Sequence, residues 1–142
     1  MTWLYDNKEF TEDDIGEYWG FVYLITNNRS GTKYIGKKQF YSVTRKKVKD
    51  RKNRKVIKKP SDWQTYYGSN DQLKSDIENL GEENFTREIL HLCMNKTECS
   101  YLEAYEQMVR NVLLTDEYYN SWISVRVQKT GLRNYAENQE SE

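Results

Sequence analysis

The sequence predicts an α+β fold, a three-stranded antiparallel sheet flanked by helices. Three observations carry this. Two β-branched and aromatic runs surround a Gly-containing turn within residues 20–38, a segment over 84–94 reads as a strand apolar through most of its second half, and apolar residues recur at helical spacing in 71–80 and 98–114. With 142 residues, 37% of them hydrophobic and 31% charged, the chain suits one domain with a modest core and long charged excursions.

Residues 1–18 show no clear period and read as an acidic arm, flexible or loosely docked. The first 17 hold Asp6, Glu9, Glu12, Asp13, Asp14 and Glu17 against one Lys. From Gly20, GFVYLIT forms a strand, NNRSG a turn and TKYIGKK a second strand, together a β-hairpin. Alternation puts Phe21, Tyr23 and Ile25 on one face, and Tyr34 with Gly36 on one face of the partner strand. A glycine inside a strand marks a bulge or the close approach of another group.

Residues 41–62 form a basic insertion after the second strand. Its central stretch, 45–59, carries ten Lys or Arg and one Asp, so the net charge of zero conceals strong segregation. With no apolar stripe, it reads as an exposed loop or irregular helix ending near Pro60. An aromatic-rich connector follows. The next helix runs Asp71 to Leu80, capped by Asn70 or Ser69 and ended by Gly81, with Leu73, Ile77 and Leu80 as its stripe. NFTREILHLCM predicts a central, buried third strand. A second helix is expected over 98–114, with Thr97 as cap and Leu102, Tyr105, Val109, Val112 and Leu113 along one side. Residues 129–142 read as a polar, disordered tail.

Several chemistries find no support. Cys93 and Cys99 are too few for a disulfide scaffold and read as inert thiols of an intracellular protein, and His91 alone leaves zinc short of ligands. A lone histidine inside a strand disfavours Ser–His–Asp and Cys–His catalysis. No Walker loop or GxGxxG follows a strand, and no spacing of acids supports a glycosidase. No run approaches the ~20 apolar residues of a membrane span, and the first ten residues do not read as a signal peptide.

What remains is aromatic and basic, with one well-placed acid. Gly20-Phe21-Val22-Tyr23, followed by Tyr34-Ile35-Gly36, resembles the paired signature of the GIY-YIG nucleases. The first half departs by one extra residue between Gly20 and Val22-Tyr23; the second half is intact. Downstream, Arg45, Glu106 in LEAYEQMV and Asn120 in YYNSW fall near the places of that family's arginine, metal-binding glutamate and closing asparagine. The resemblance covers residues 20–120, is closest to phage-type, free-standing homing-like endonucleases, and implies a nuclease domain over 19–128.

It implies a metal-dependent DNA endonuclease leaving 5′-phosphate and 3′-hydroxyl ends. Tyr23 would be general base, with its phenol lowered from about 10 by nearby cations. Tyr34 would orient water or phosphate, and Asn120 would shape the site. Glu106 would hold Mg²⁺ or Mn²⁺. On the helical wheel Glu106 lies at the edge of the apolar stripe, so a solvated boundary residue is its other reading. Arg45 is favoured by spacing for the scissile phosphate and competes with Lys37, Lys38, Arg51 and Arg54.

DNA, as a duplex, is the expected partner. The backbone would be tracked by Lys38, Arg45, Lys46, Lys47, Lys49, Arg51 and Arg54, with Trp63, Tyr66 and Tyr67 available to stack. The expected location is the cytoplasm, that of the host cell if the chain is phage-encoded, as a monomer or homodimer. Two other readings stand beside the enzyme: an inactive nucleic-acid-binding module on the same scaffold, and an interaction protein whose acidic arm folds over the basic stretch.

Overall fold

A computed structural model describes residues 2–46, 49 and 55–140. Its strands are β1 (Trp3–Tyr5), β2 (Lys8–Phe10), β3 (Gly20–Asn27), β4 (Lys33–Gln39), β5 (Tyr41–Lys46), β6 (Lys55–Pro60) and β7 (Phe85–Cys93), and its α-helices are α1 (Asp71–Leu80), α2 (Lys96–Val109) and α3 (Arg133–Glu140). The α+β class holds, with a larger sheet than expected. Five strands lie in the order β2-β1-β7-β3-β4, and β1 runs parallel to β7, so the sheet is mixed.

The two extra strands come from the N-terminal segment expected to be a loose arm. Asp6 and Asn7 both take positive φ, 53° and 64°, and join β1 to β2 in a two-residue turn. Trp3 is 1% exposed, its Nε1 donates to the Trp63 carbonyl at 2.7 Å, and its ring meets Phe21 and Tyr23 edge-on. One buried tryptophan on so short a strand outweighs the surrounding acids. An Asp-Asn pair between Trp-Leu-Tyr and Lys-Glu-Phe was the available signal.

The sheet is buried on both faces. Phe21, Tyr23 and Ile25 join Trp3, Phe40, Trp63, Leu73 and Phe85 under α1. Val22, Leu24 and Ile35 pack with Cys93, Cys99, Leu102 and Val112 under α2. Cys93 and Cys99 are buried free thiols, and the contact with Cys93 together with burial pushes the Cys99 thiol up. Helix α1 matches its expected bounds, with the Asn70 side chain accepting from Leu73 N at 3.0 Å.

Helix α2 is displaced from its expected bounds. Asn95, not Thr97, caps it, accepting from Glu98 N at 2.8 Å. It stops before Leu114 because Asn111 adopts φ 54°, with Asn111 N bonding Met108 O and Val112 N bonding Gln107 O. That reversal turns Val112 into the core and leaves Leu113 and Leu114 exposed. Where a loop or irregular helix was expected, β5 and β6 pair antiparallel as a two-stranded sheet separate from the main one, with Arg45 opposite Val56 and Ser42 opposite Lys59. The tail expected to be disordered contains α3, whose Tyr135 packs on the second core cluster.

Candidate active site

A cavity of about 410 Å³ opens at the outer edge of β4. Because β4 ends the sheet, side chains from both sheet faces reach it. Tyr23, Tyr34 and Tyr66 come from the α1 side, whereas Lys37, Glu103 and Gln107 come from the α2 side.

Tyr23 and Gly36 are register partners on β3 and β4. A Cβ at Gly36 would overlap the Tyr23 hydroxyl and approach its Cζ at 2.6 Å, so only glycine leaves room for this phenol. A bulge between Val22 and Tyr23, opposite Leu90 of β7, adjusts the ring's position further. Trp3, Tyr34 and Tyr66 surround it at centroid distances of 5.3, 6.2 and 6.0 Å. Burial foremost, then the Tyr66 and Tyr34 phenols, push the Tyr23 hydroxyl well above its ordinary range. Tyr34, less buried, shares a 3.2 Å hydrogen bond with the Ser69 hydroxyl, which partly opposes the upward push of burial.

On the opposite side, Lys37 Nζ donates to Ser100 Oγ at 2.7 Å and stands 3.9 Å from Glu103 Oε1. The Glu103 side chain is 16% exposed, and burial raises its carboxyl against the lowering influence of Lys37. Among the described residues lining the cavity, Glu103 is the one carboxylate.

The expected metal ligand, Glu106, lies elsewhere. Its two oxygens are 2.8 Å from His91 Nε2 and from Arg110 Nε, and it does not line the cavity. Burial works to raise its carboxyl, and the bonds from Arg110 and His91 outweigh that and hold it low. Glu103 occupies the position expected of Glu106, one helical turn earlier. The missed signal is a polar stripe, Ser100, Glu103 and Gln107, at spacings of three and four. Of the apolar residues used to orient α2, Leu102 and Val112 are buried, whereas Tyr105, Val109 and Leu113 are exposed.

Asn120 has a plain architectural task. As an edge strand, β4 presents Ile35 backbone groups with no strand beyond them. Asn120 Oδ1 accepts from Ile35 N at 3.0 Å, its Nδ2 donates to Ile35 O at 2.8 Å, and Gln107 adds a donor at 3.2 Å. Lys33 and Tyr119 extend the seal through Tyr119 N to Lys33 O at 2.7 Å.

The other expected contacts divide. Lys38 is paired with Asp62 at 2.6 Å and lies over the Tyr66 ring. Arg45 is exposed on β5 and does not line the cavity, because a separate ribbon carries it. Lys49 is exposed. Lys46 ends β5, while Lys47, Arg51 and Arg54 lie outside the described residues. Trp63 is 4% exposed, stacked edge-on to Phe40 and Phe10, and is a core residue rather than a DNA contact. The Tyr67 ring faces the Arg87 guanidinium, which also lies over Trp3 and donates to Tyr66 O at 2.8 Å.

Three phenols, a lysine and a shielded carboxylate thus meet at one sheet edge, with Tyr34 and Gly36 two residues apart on one face of β4. The family model described as "Putative endonuclease segE, GIY-YIG domain" matches residues 3–123. The chain belongs to the GIY-YIG endonuclease family. Among curated proteins and among solved structures, none matches it. The match begins at Trp3, so the GIY-YIG domain of this chain includes the N-terminal strands. The family makes the chain a nuclease, a phosphodiester hydrolase with DNA as its substrate class. GIY-YIG nucleases generally use divalent metal ions; among the described residues no three His, Cys, Asp or Glu side chains cluster. No described helix is long and apolar enough to cross a membrane.

Proposed function

We propose that this chain is a metal-dependent DNA endonuclease whose reaction takes place in the β4-edge cavity and leaves 5′-phosphate and 3′-hydroxyl ends. The observation that carries the reading is the convergence of Tyr23, Tyr34, Lys37 and Glu103 on one cavity. Its duplex substrate would be held in part by the exposed cations of the β5–β6 pair.

The donor set fits a hard divalent cation. Glu103 offers carboxylate oxygens that burial leaves under-compensated, since Lys37 stands 3.9 Å away. A single carboxylate suits Mg²⁺ or Mn²⁺, which keep most of their waters. When bound, the ion supplies neutralisation of phosphate charge and stabilisation of the leaving 3′ oxygen.

The remaining work falls to the chain. Lys37 places a fixed positive charge beside the phosphate, already oriented by Ser100. Tyr34, held through Ser69, directs its hydroxyl toward the attacking water or the phosphate. Tyr23 is the group assigned to take the water's proton. In the free protein its phenol holds its own proton, because burial and two neighbouring phenols raise it. Positive charge drawn up to the ring in the substrate complex must bring it down. Asn120 positions: it keeps β4, and so Tyr34 and Gly36, in register.

A purely binding scaffold has no use for a partly desolvated carboxylate in its cleft, which disfavours the inactive module. The test is nicking of supercoiled plasmid with Mg²⁺, with and without chelator, by the wild type and by Glu103→Gln. Metal-dependent nicking lost in the variant is expected; DNA binding without nicking under any metal would establish the inactive module instead. Masking of the basic stretch by the acidic arm loses its basis, since Trp3 and Phe10 are built into the core.

A further inference from the structure

Among the described residues, one large aromatic side chain is mostly exposed and stands at the active-site cavity. Trp122 is 71% exposed. Among the described residues, it is the only exposed large apolar side chain that also lines the cavity holding Tyr23, Tyr34, Lys37 and Glu103. The others lie mostly on the outer face of α2 and beyond its end.

Its position is fixed from both sides. Upstream, Tyr119 is anchored at three points: its hydroxyl donates to Asp76 Oδ2 at 2.7 Å and accepts from Asn27 Nδ2 at 3.0 Å, and its carbonyl accepts from Asn70 Nδ2 at 3.0 Å. Asn120 is then locked to Ile35. Downstream, Ile123 packs on the core cluster under α2. The backbone around Trp122 is therefore held while its indole projects to water at the cavity rim. Ser121 and Ser124, both exposed, line the same rim with hydroxyls.

An indole left in water forgoes the burial that a core site would recover. An aromatic face beside a phosphate-sized, lysine-lined cleft suits stacking on a base. We propose that Trp122 is a substrate-positioning residue whose indole stacks on a nucleobase next to the phosphodiester lying in the cavity. For a duplex substrate this base is partly unstacked from its neighbour, so the nucleic acid is bent or opened at the cut. The inference rests on the endonuclease reading for the location of the phosphodiester, but not for the stack itself.

The experiment uses the full chain and a short duplex built around a nick mapped on supercoiled plasmid. Steady-state KM and kcat are measured with Mg²⁺ for wild type, Trp122→Ala, Trp122→Phe and Trp122→Leu, on intact duplex and on duplexes with an abasic site at each position flanking the nick. Trp122→Ala is expected to raise KM roughly 5- to 150-fold, the range of one base–aromatic stack by alanine substitution, with Trp122→Phe restoring most of it and Trp122→Leu little. One abasic position should abolish the difference between wild type and Trp122→Ala. An unchanged KM in Trp122→Ala, rescue by Leu equal to that by Phe, or a loss that no abasic position removes would each overturn the proposal. If wild type nicks no DNA, the endonuclease reading fails separately. The stack is then read from Kd on a plasmid-derived duplex, where a loss in Ala restored by Phe and not by Leu supports it and equal Kd values overturn it.

Discussion

Replacing Glu103 and Glu106, three residues apart on one helix, by Gln should separate activity from stability in opposite directions. Glu103 is the one carboxylate among the described cavity-lining residues, whereas Glu106 is held by His91 and Arg110 outside it. If Glu103 holds the cation, its neutralisation removes a charge contribution of several kcal/mol to the transition state, and each 1.36 kcal/mol is tenfold in rate. Glu103→Gln should therefore lower the metal-dependent nicking rate by about 10²-fold or more. Stability should not fall. The Glu103 carboxyl is raised in the folded protein, so the native state binds more protons than the unfolded chain, and stability declines as pH rises from the unfolded value, about 4.3, to the raised one. Gln removes that penalty, making the variant as stable as wild type or more so at pH 7, with the difference vanishing in acid.

Glu106→Gln should behave in reverse. Its carboxyl is lowered in the folded protein, so its stabilisation is present above the unfolded value and is lost as pH falls through the folded one. At pH 7 the variant should lose about 1 kcal/mol, since both partners are about one-third exposed and screened, or about 3 °C in Tm. Nicking should stay within about threefold of wild type, roughly 0.65 kcal/mol on the barrier scale. Plasmid nicking and thermal melts at pH 4 and 7 read both variants. Activity retained by Glu103→Gln and lost by Glu106→Gln would refute the assignment.

Gly36→Ala should cost about 1–3 kcal/mol through overpacking against Tyr23 and should depress nicking beyond its effect on the folded fraction, measured by urea melts beside rates below the transition. Asn120→Ala should cost about 2 kcal/mol, because Ile35 N loses its partner while Gln107 still serves Ile35 O; unchanged urea stability would show that the β4 edge needs no clamp. At subsaturating DNA, where kcat/KM reports the free protein, nicking should climb with pH through neutrality without levelling, because the Tyr23 phenol is raised and stays protonated there, and a plateau of kcat/KM below pH 7 would exclude Tyr23 as the base. Double replacement of Arg45 and Lys59 by Ala should weaken DNA binding, flatten the log–log salt dependence by about 2, and leave kcat unchanged. A 10²-fold fall in kcat would return Arg45 to the reacting phosphate.

The hairpin, α1 and the central strand were legible because their signals are local. Alternating Phe21, Tyr23 and Ile25, the turn at 28–31 and the Asn70–Gly81 bracket each act over a few residues, and the observed elements follow them. Gly36 was legible as a place of close approach, though not as the seat of a particular hydroxyl. The orientation of α2 was not legible. An apolar stripe marks the buried face only when that face is apolar, and here the inward face carries Ser100, Glu103 and Gln107 because it borders a polar cavity. The family resemblance pointed to Glu106, and the stripe, which put that residue at its edge, gave no sign that Glu103 is the acid lining the cavity.

The sequence alone determined which local elements form and which nuclease family the chain resembles, since strand alternation, caps and the Tyr-Ile-Gly motif depend on neighbours along the chain. Tertiary structure alone decided which acid faces the cleft, that Trp63 serves the core while Trp122 stands at the rim, and that residues 3–10 complete the sheet. Those outcomes depend on contacts between residues tens of positions apart, such as Trp3 with Trp63 and Asn120 with Ile35. No local pattern encodes a partner at that separation, because burial and hydrogen-bond satisfaction are settled only when the whole sheet closes.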